Sequence, residues 1–256
     1  MNREIYPKLT LVGAGPGDVE LITVKGLNAL KTANVVLYDA LVNKELLNFA
    51  PNDALKIYVG KRNHHHAYTQ EQINTLIVDF AFTYGHVVRL KGGDSFVFGR
   101  GQEEINYAKT FNIETAVVPG ISSSIGVPAL SGIPVTHRGA SESFWVITGT
   151  TKENKLSKDV LLAAKTNATV VILMGLAKLE EITEVFKSAG KENTAIALIQ
   201  NGSLSNQKIA LGTIETIVEI AEQGSIKAPA IIIIGEVVKQ HDDFPLALTN
   251  LNYLFN

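Results

Sequence analysis

Cysteine is absent from this chain of 256 residues. That excludes disulfides, thiolate metal sites and a cysteine nucleophile, and it fits a reducing compartment. Long apolar runs are missing too: the longest, Ala228 to Ile234, is far short of the roughly 20 residues of a membrane-spanning helix. The first residues, M-N-R-E-I-Y-P-K, have no apolar signal-peptide core. A basic excess is lacking, since the formal net charge is -2, which argues against broad nucleic-acid binding. The expectation is a soluble, cytoplasmic protein with neither membrane nor nucleic acid as partner. Hydrophobic residues make up 46% of the chain, enough for one large core or two ordinary ones.

Short β-branched runs alternate with helical patterns. Lys8–Val12, Val35–Tyr38, Leu55–Val59, Val87–Leu90 and Glu114–Val118 read as strands, with helices at 23–33, 69–84 and 102–110. Thr69 with Gln72 three residues on forms a capping-box start. Such alternation implies a mostly parallel sheet covered by helices. After a Gly- and Pro-rich passage from Pro119 to Gly139, strands recur near 144–148, 169–174, 194–199, 207–212 and 230–235, with helices near 178–189 and 213–222. The turn between Asn201 and Asn206 predicts one antiparallel pair. The fold expected is α/β with two α/β domains, 1–137 and 138–256.

The densest motif is R-L-K-G-G-D-S-F-V-F-G-R-G, Arg89 to Gly101. Glycine at that density means backbone lying close against something, and the interleaved charges suggest a polar, charged ligand. An earlier cluster, Gly13-Ala14-Gly15-Pro16-Gly17-Asp18, looks like a dinucleotide fingerprint, but its third glycine falls on Asp18. Pro16 also removes an N–H that a pyrophosphate would use. A structural turn or a loop shaped for a non-phosphate ligand fits better. Tyr38-Asp39 and Val59-Gly60-Lys61-Arg62 end strands, where open α/β sheets face their ligands. Asp39 reads equally well as a solvated turn residue, and Lys61-Arg62 as a wet surface pair. His64-His65-His66 cannot all point at one ion and no carboxylate stands at ligand spacing, so no metal is expected.

In order, V-G-A-G-P-G-D (12–18), Y-D-A-L-V (38–42), V-G-K-R (59–62), the 89–101 motif, V-P-G-I-S-S (118–123), G-I-P-V-T-H-R-G (132–139), M-G-L (174–176), Q-N-G-S (200–203) and A-P-A-I-I-I-I-G-E-V-V (228–238) resemble the tetrapyrrole methylase family. The resemblance covers Lys8 to about Val238. It implies two domains with S-adenosylmethionine held in the cleft between them, a homodimer, and release of S-adenosylhomocysteine. K-G-G-D followed by F-G-R-G points to the branch that methylates uroporphyrinogen III at carbons 2 and 7, giving precorrin-2 for sirohaem and cobalamin. By position the resemblance implies Pro16, Gly92, Gly93, Asp94, Val97, Ser122, Ser123, Met174 and Gly202 as cofactor-binding residues, and Asp39 with Lys61 as the acid–base pair. Arg62, Arg89 and Arg100 would meet the substrate's carboxylates. Ser95 stands where the family usually has Pro, and Ala40 where Arg is common. Ser122-Ser123 replaces a more frequent Thr-Ala or Thr-Ser. The alternatives are a sister methylase acting on a later corrin precursor and a nicotinamide-dependent oxidoreductase.

Overall fold

The structure, a computed structural model, describes residues 5–60 and 68–245. It divides into two compact units between Ser122 and Ser123.

The first unit contains five strands, β1 (Lys8–Gly13), β2 (Val35–Tyr38), β3 (Leu55–Tyr58), β4 (His86–Lys91) and β5 (Glu114–Val118). All pair in parallel, in the order β3-β2-β4-β1-β5. Their near-continuous apolar runs suit strands covered on both faces. On one face Leu9, Leu11 and Val87 pack with Ile73 and Ile77 of α2 (Gln70–Tyr84) and Ile105 of α3 (Gly101–Thr110). On the other, Val12, Val36 and Leu90 meet Leu30 of α1 (Val24–Lys31) and Leu46 of a short 3-10 helix. Thr69 and Gln72 form the expected capping box at the start of α2. The chain leaves β1 for β2 and β3, then returns to insert β4 beside β1. With α1 and α3 on opposite faces, the loops after β1 and β4 flank a switch point, where open α/β sheets bind ligands.

The second unit holds β6 (Phe144–Thr148), β7 (Thr169–Leu173), β8 (Ala195–Gln200), β9 (Lys208–Thr213) and β10 (Ala230–Ile234). The order is β6-β7-β10-β8-β9. The expected antiparallel pair is β8–β9, but β10 adds two more antiparallel ladders by entering the centre of the sheet, and β6–β7 is parallel. Helices α5 (Asp159–Ala163), α6 (Leu179–Ser188) and α7 (Ile217–Gln223) cover one face through Val160, Ile182, Phe186 and Ile217. Helix α4 (Ser123–Leu130) covers the other: Val127 and Ile133 lie in one cluster with Ala197, Ile199 and Ile233. That burial places residues 123–137 in the second unit, ahead of the expected division at 137/138. Among the described residues no helix is long and apolar enough to cross a membrane.

Candidate functional site

Four loops of the first unit leave the carboxyl ends of parallel strands, and three are laced together by backbone. Gly15 and Gly93 exchange hydrogen bonds, N to O, of 3.2 and 2.7 Å, and Ala14 N donates to Lys91 O at 2.7 Å. Asp94 staples the third loop, accepting from Gly120 N at 3.0 Å and Phe96 N at 2.8 Å. A Cβ on Gly13 would stand 2.5 Å from Gly120 N and 2.7 Å from Gly93 O. Farther along, Cβ atoms on Gly99 and Gly101 would meet the Ser95 carbonyl at 2.5 and 2.7 Å. Much of the glycine density therefore serves backbone against backbone. Phe98 and Arg100 carry φ of 52° and 58°, a left-handed conformation costly for side-chain-bearing residues and frequent at functional sites.

Beneath these loops lies an ionic cluster. Arg89 and Lys91 stand two apart on β4 and so share a face; both are buried. Glu104, on the buried stripe of α3 with Ile105 and Ala108, is fully buried. Its Oε1 accepts from Arg89 Nε (3.2 Å), Lys91 Nζ (3.0 Å) and Gln70 Nε2 (3.2 Å), while its Oε2 has no hydrogen-bond partner among the described residues. Arg89 Nη2 then donates to Asp39 Oδ1 at 2.5 Å, and Lys91 Nζ lies 3.7 Å from Asp39 Oδ2. Burial pushes the Lys91 ammonium below its ordinary range, helped by the like charge of Arg89; Glu104 and Asp39 pull it back up. The Asp39 side chain is 29% exposed, against 2% for Arg89. Asp39 is the member that can meet a ligand.

In the second unit, β7 and β8 both run antiparallel to β10 and hence parallel to each other. Their carboxyl ends meet the start of β10 at one sheet edge. Met174, Gln200–Ser203 and Ala228–Ala230 gather there. Met174 has φ 55° and is 54% exposed, which is not how a core-filling methionine sits. Thr150 Oγ1 donates to its carbonyl at 2.8 Å. Gly202 lies against Val127 of α4, so a Cβ would collide with that side chain.

Pro16, Asp39, Gly92, Gly93, Asp94, Val97 and Ser122 thus fall on the carboxyl-end loops of the first sheet; Ser123 opens α4, and Met174 and Gly202 share an edge of the second. Lys61 and Arg62 lie outside the described residues, as do His64–His66. Arg89, expected to meet substrate carboxylates, is instead enclosed and spends its donors on Asp39, Glu104 and the carbonyls of Leu37 and Leu90. Arg100 is exposed and grips Glu103 through two bonds of 2.9 and 2.6 Å. Glu104 and Gln70 were not singled out by sequence. The signal was available: two cations on one face of a core strand require a buried carboxylate opposite.

A parallel sheet with a ligand-facing switch point, followed by a mixed sheet, defines a two-unit α/β protein, and the chain belongs to the Tetrapyrrole (Corrin/Porphyrin) Methylases, whose sequence profile matches residues 8–218. It is 50% identical over 237 residues to the uroporphyrinogen-III C-methyltransferase of Methanocaldococcus jannaschii, covering 92% of this chain and 98% of that one. It is 44% identical over 245 residues to the siroheme synthase of Actinobacillus pleuropneumoniae serotype 7, covering 94% of this chain and 50% of that protein. It therefore spans half the length of that relative. The crystal structure of the uroporphyrin-III C-methyl transferase from Thermus thermophilus complexed with S-adenyl homocysteine superposes with a TM-score of 0.78 at 36% identity, covering 91% of this chain and 99% of that one.

Proposed function

We propose that this chain transfers methyl groups from S-adenosylmethionine to carbons 2 and 7 of uroporphyrinogen III, giving precorrin-2 for sirohaem or cobalamin. The observation that carries this is 50% identity to the M. jannaschii enzyme across 98% of its length. The structural neighbour with bound S-adenyl homocysteine supports the methyl donor.

A sulfonium methyl needs no further activation. A pyrrole carbon supplies the electron pair of the new C–C bond, the C–S pair stays on sulfur, and S-adenosylhomocysteine leaves. The demand on the protein is alignment, and oriented proximity can supply roughly 7–11 kcal/mol. Pro16, Gly92, Gly93, Asp94, Val97, Ser122, Ser123, Met174 and Gly202 hold the donor on this reading. The methylated macrocycle then sheds a proton, and Asp39, partly exposed above its buried cations, is the base, with Lys61 as its acid–base partner. Arg62 and Arg100 receive substrate carboxylates; Arg89 acts on Asp39 instead. The enzyme works as a cytoplasmic homodimer.

The test is incubation with methyl-labelled S-adenosylmethionine and uroporphyrinogen III. Two labels per macrocycle, at carbons 2 and 7, are expected; labelling of a later corrin precursor alone would overturn the reading. Asp39→Asn should lose most turnover while keeping its affinity for S-adenosylhomocysteine by calorimetry. Gly93→Val, which puts a β-branched residue at φ 64°, should lose that affinity.

A further inference from the structure

We infer that Glu104 is a positioning residue: through Arg89 and Lys91 it fixes the Asp39 carboxylate so that Oδ1 is held and Oδ2 is left to take the proton. The inference rests on the reading of Asp39 as the base.

A fully buried carboxylate is expensive, and an apolar residue of similar volume would serve packing as well or better. Glu104 instead occupies the stripe of α3 that packs on the apolar face of the first sheet. One of its oxygens gathers three donors, from β4 and α2, and the other none. Such an arrangement is poor as a stabiliser and good as a template. Arg89 and Lys91, anchored on the same atom, reach different oxygens of Asp39. The 2.5 Å contact from Arg89 commits Oδ1. At 3.7 Å from Lys91, Oδ2 is within Coulombic reach but outside hydrogen-bond distance, so it remains available.

Among the described residues, the charges facing Asp39 are Arg89 and Lys91 from β4 and Glu104 from α3. Gln70 of α2 is neutral, and the ring of Tyr58 on β3 packs 5.5 Å from that of Tyr38. Within that described set the two cations and two carboxylates balance. Removing Glu104's charge leaves both cations facing Asp39 with one negative charge fewer beside them. Removing that of Lys91 leaves one positive charge fewer.

The two changes must therefore move a pH profile in opposite directions. In Glu104→Gln, the acid limb of kcat/KM should shift to lower pH, with kcat down roughly tenfold to a hundredfold from the displaced carboxylate. Affinity for S-adenosylhomocysteine should be unchanged, and Glu104→Asp should recover part of the rate. In Lys91→Met the acid limb should move to higher pH. Limbs that stay put, or that move together, would overturn the inference. If Glu104→Gln does not fold, the direction of the Lys91→Met shift decides it. Asp39→Asn separates the two ideas. Should that variant keep its turnover, the base is elsewhere, and carbon-13 titration of the Asp39 carboxyl in the Lys91 and Glu104 variants still reports whether the cluster acts on it.

Discussion

Ser95 uses its carbonyl and, among the described residues, leaves its hydroxyl without a partner. The carbonyl accepts from Gly101 N at 3.1 Å, and the crowding around it explains Gly99 and Gly101. The hydroxyl is buried with no hydrogen bond, at the place where the family resemblance leads one to expect proline. An orphaned buried hydroxyl is a cost, so Ser95→Ala should stabilise the protein by about 1 kcal/mol, raising the thermal midpoint by about 2–4 °C. A lowered midpoint would mean that the hydroxyl has a partner in solution. The same residues mark how far sequence reached. Glycine density in 89–101 correctly announced close backbone approach, but it could not say that the neighbour was the protein's own loops. Charge was legible and its burial was not: Arg89 and Arg100 look alike in the motif, yet one is enclosed and the other exposed. What separates them is α3 folding back onto the first sheet so that Glu104 reaches Arg89, a tertiary event.

At the scale of elements, strands were legible because β-branched runs of four to six residues sit between glycines and polar turns. Helix α4 was not. Its sequence, S-S-I-G-V-P-A-L, contains glycine and proline and lacks polar–apolar periodicity, since it is pinned by packing rather than propensity. The pin is specific: Gly202, in the turn after β8, presses on Val127. Gly202→Ala should therefore cost about 1–3 kcal/mol by overpacking, even with no ligand present. Adding Val127→Ala should return part of that loss in a denaturant double-mutant cycle. Strict additivity of the two changes would show that this contact does not hold α4 in place, and would leave ligand approach as the reason for the glycine. The centre of the second sheet was equally hidden. Nothing local to β10 says that it will pair with β7 and β8 on its two sides.

For the whole molecule, the strand end opposite the Asp39 loops carries a pH dependence of stability that is separable from activity. His86 opens β4, bonded through Nε2 to Thr10 Oγ1 at 2.8 Å and through Nδ1 to the Thr32 carbonyl at 3.0 Å. Burial lowers its pKa, the Lys8 charge adds to this, and the Thr32 carbonyl and Glu114 oppose it. The folded chain thus binds this proton less readily than the unfolded chain, whose histidine titrates near 6.5. Stability from His86 is complete above that value and is lost as pH falls toward the folded-state value. Glu114, lowered by its bond to Lys8, changes stability in the same direction, but as an exposed carboxylate it acts at lower pH and weakly. The thermal midpoint should therefore decline between pH 7.5 and 5.5, and His86→Gln should flatten that decline. Because the histidine lies at the far end of β4 from Lys91, the acid limb of turnover should be the same in both proteins. A midpoint profile unchanged by the substitution would assign the pH dependence of stability to carboxylates instead, and a shifted turnover limb would mean that the two ends of the first sheet are coupled.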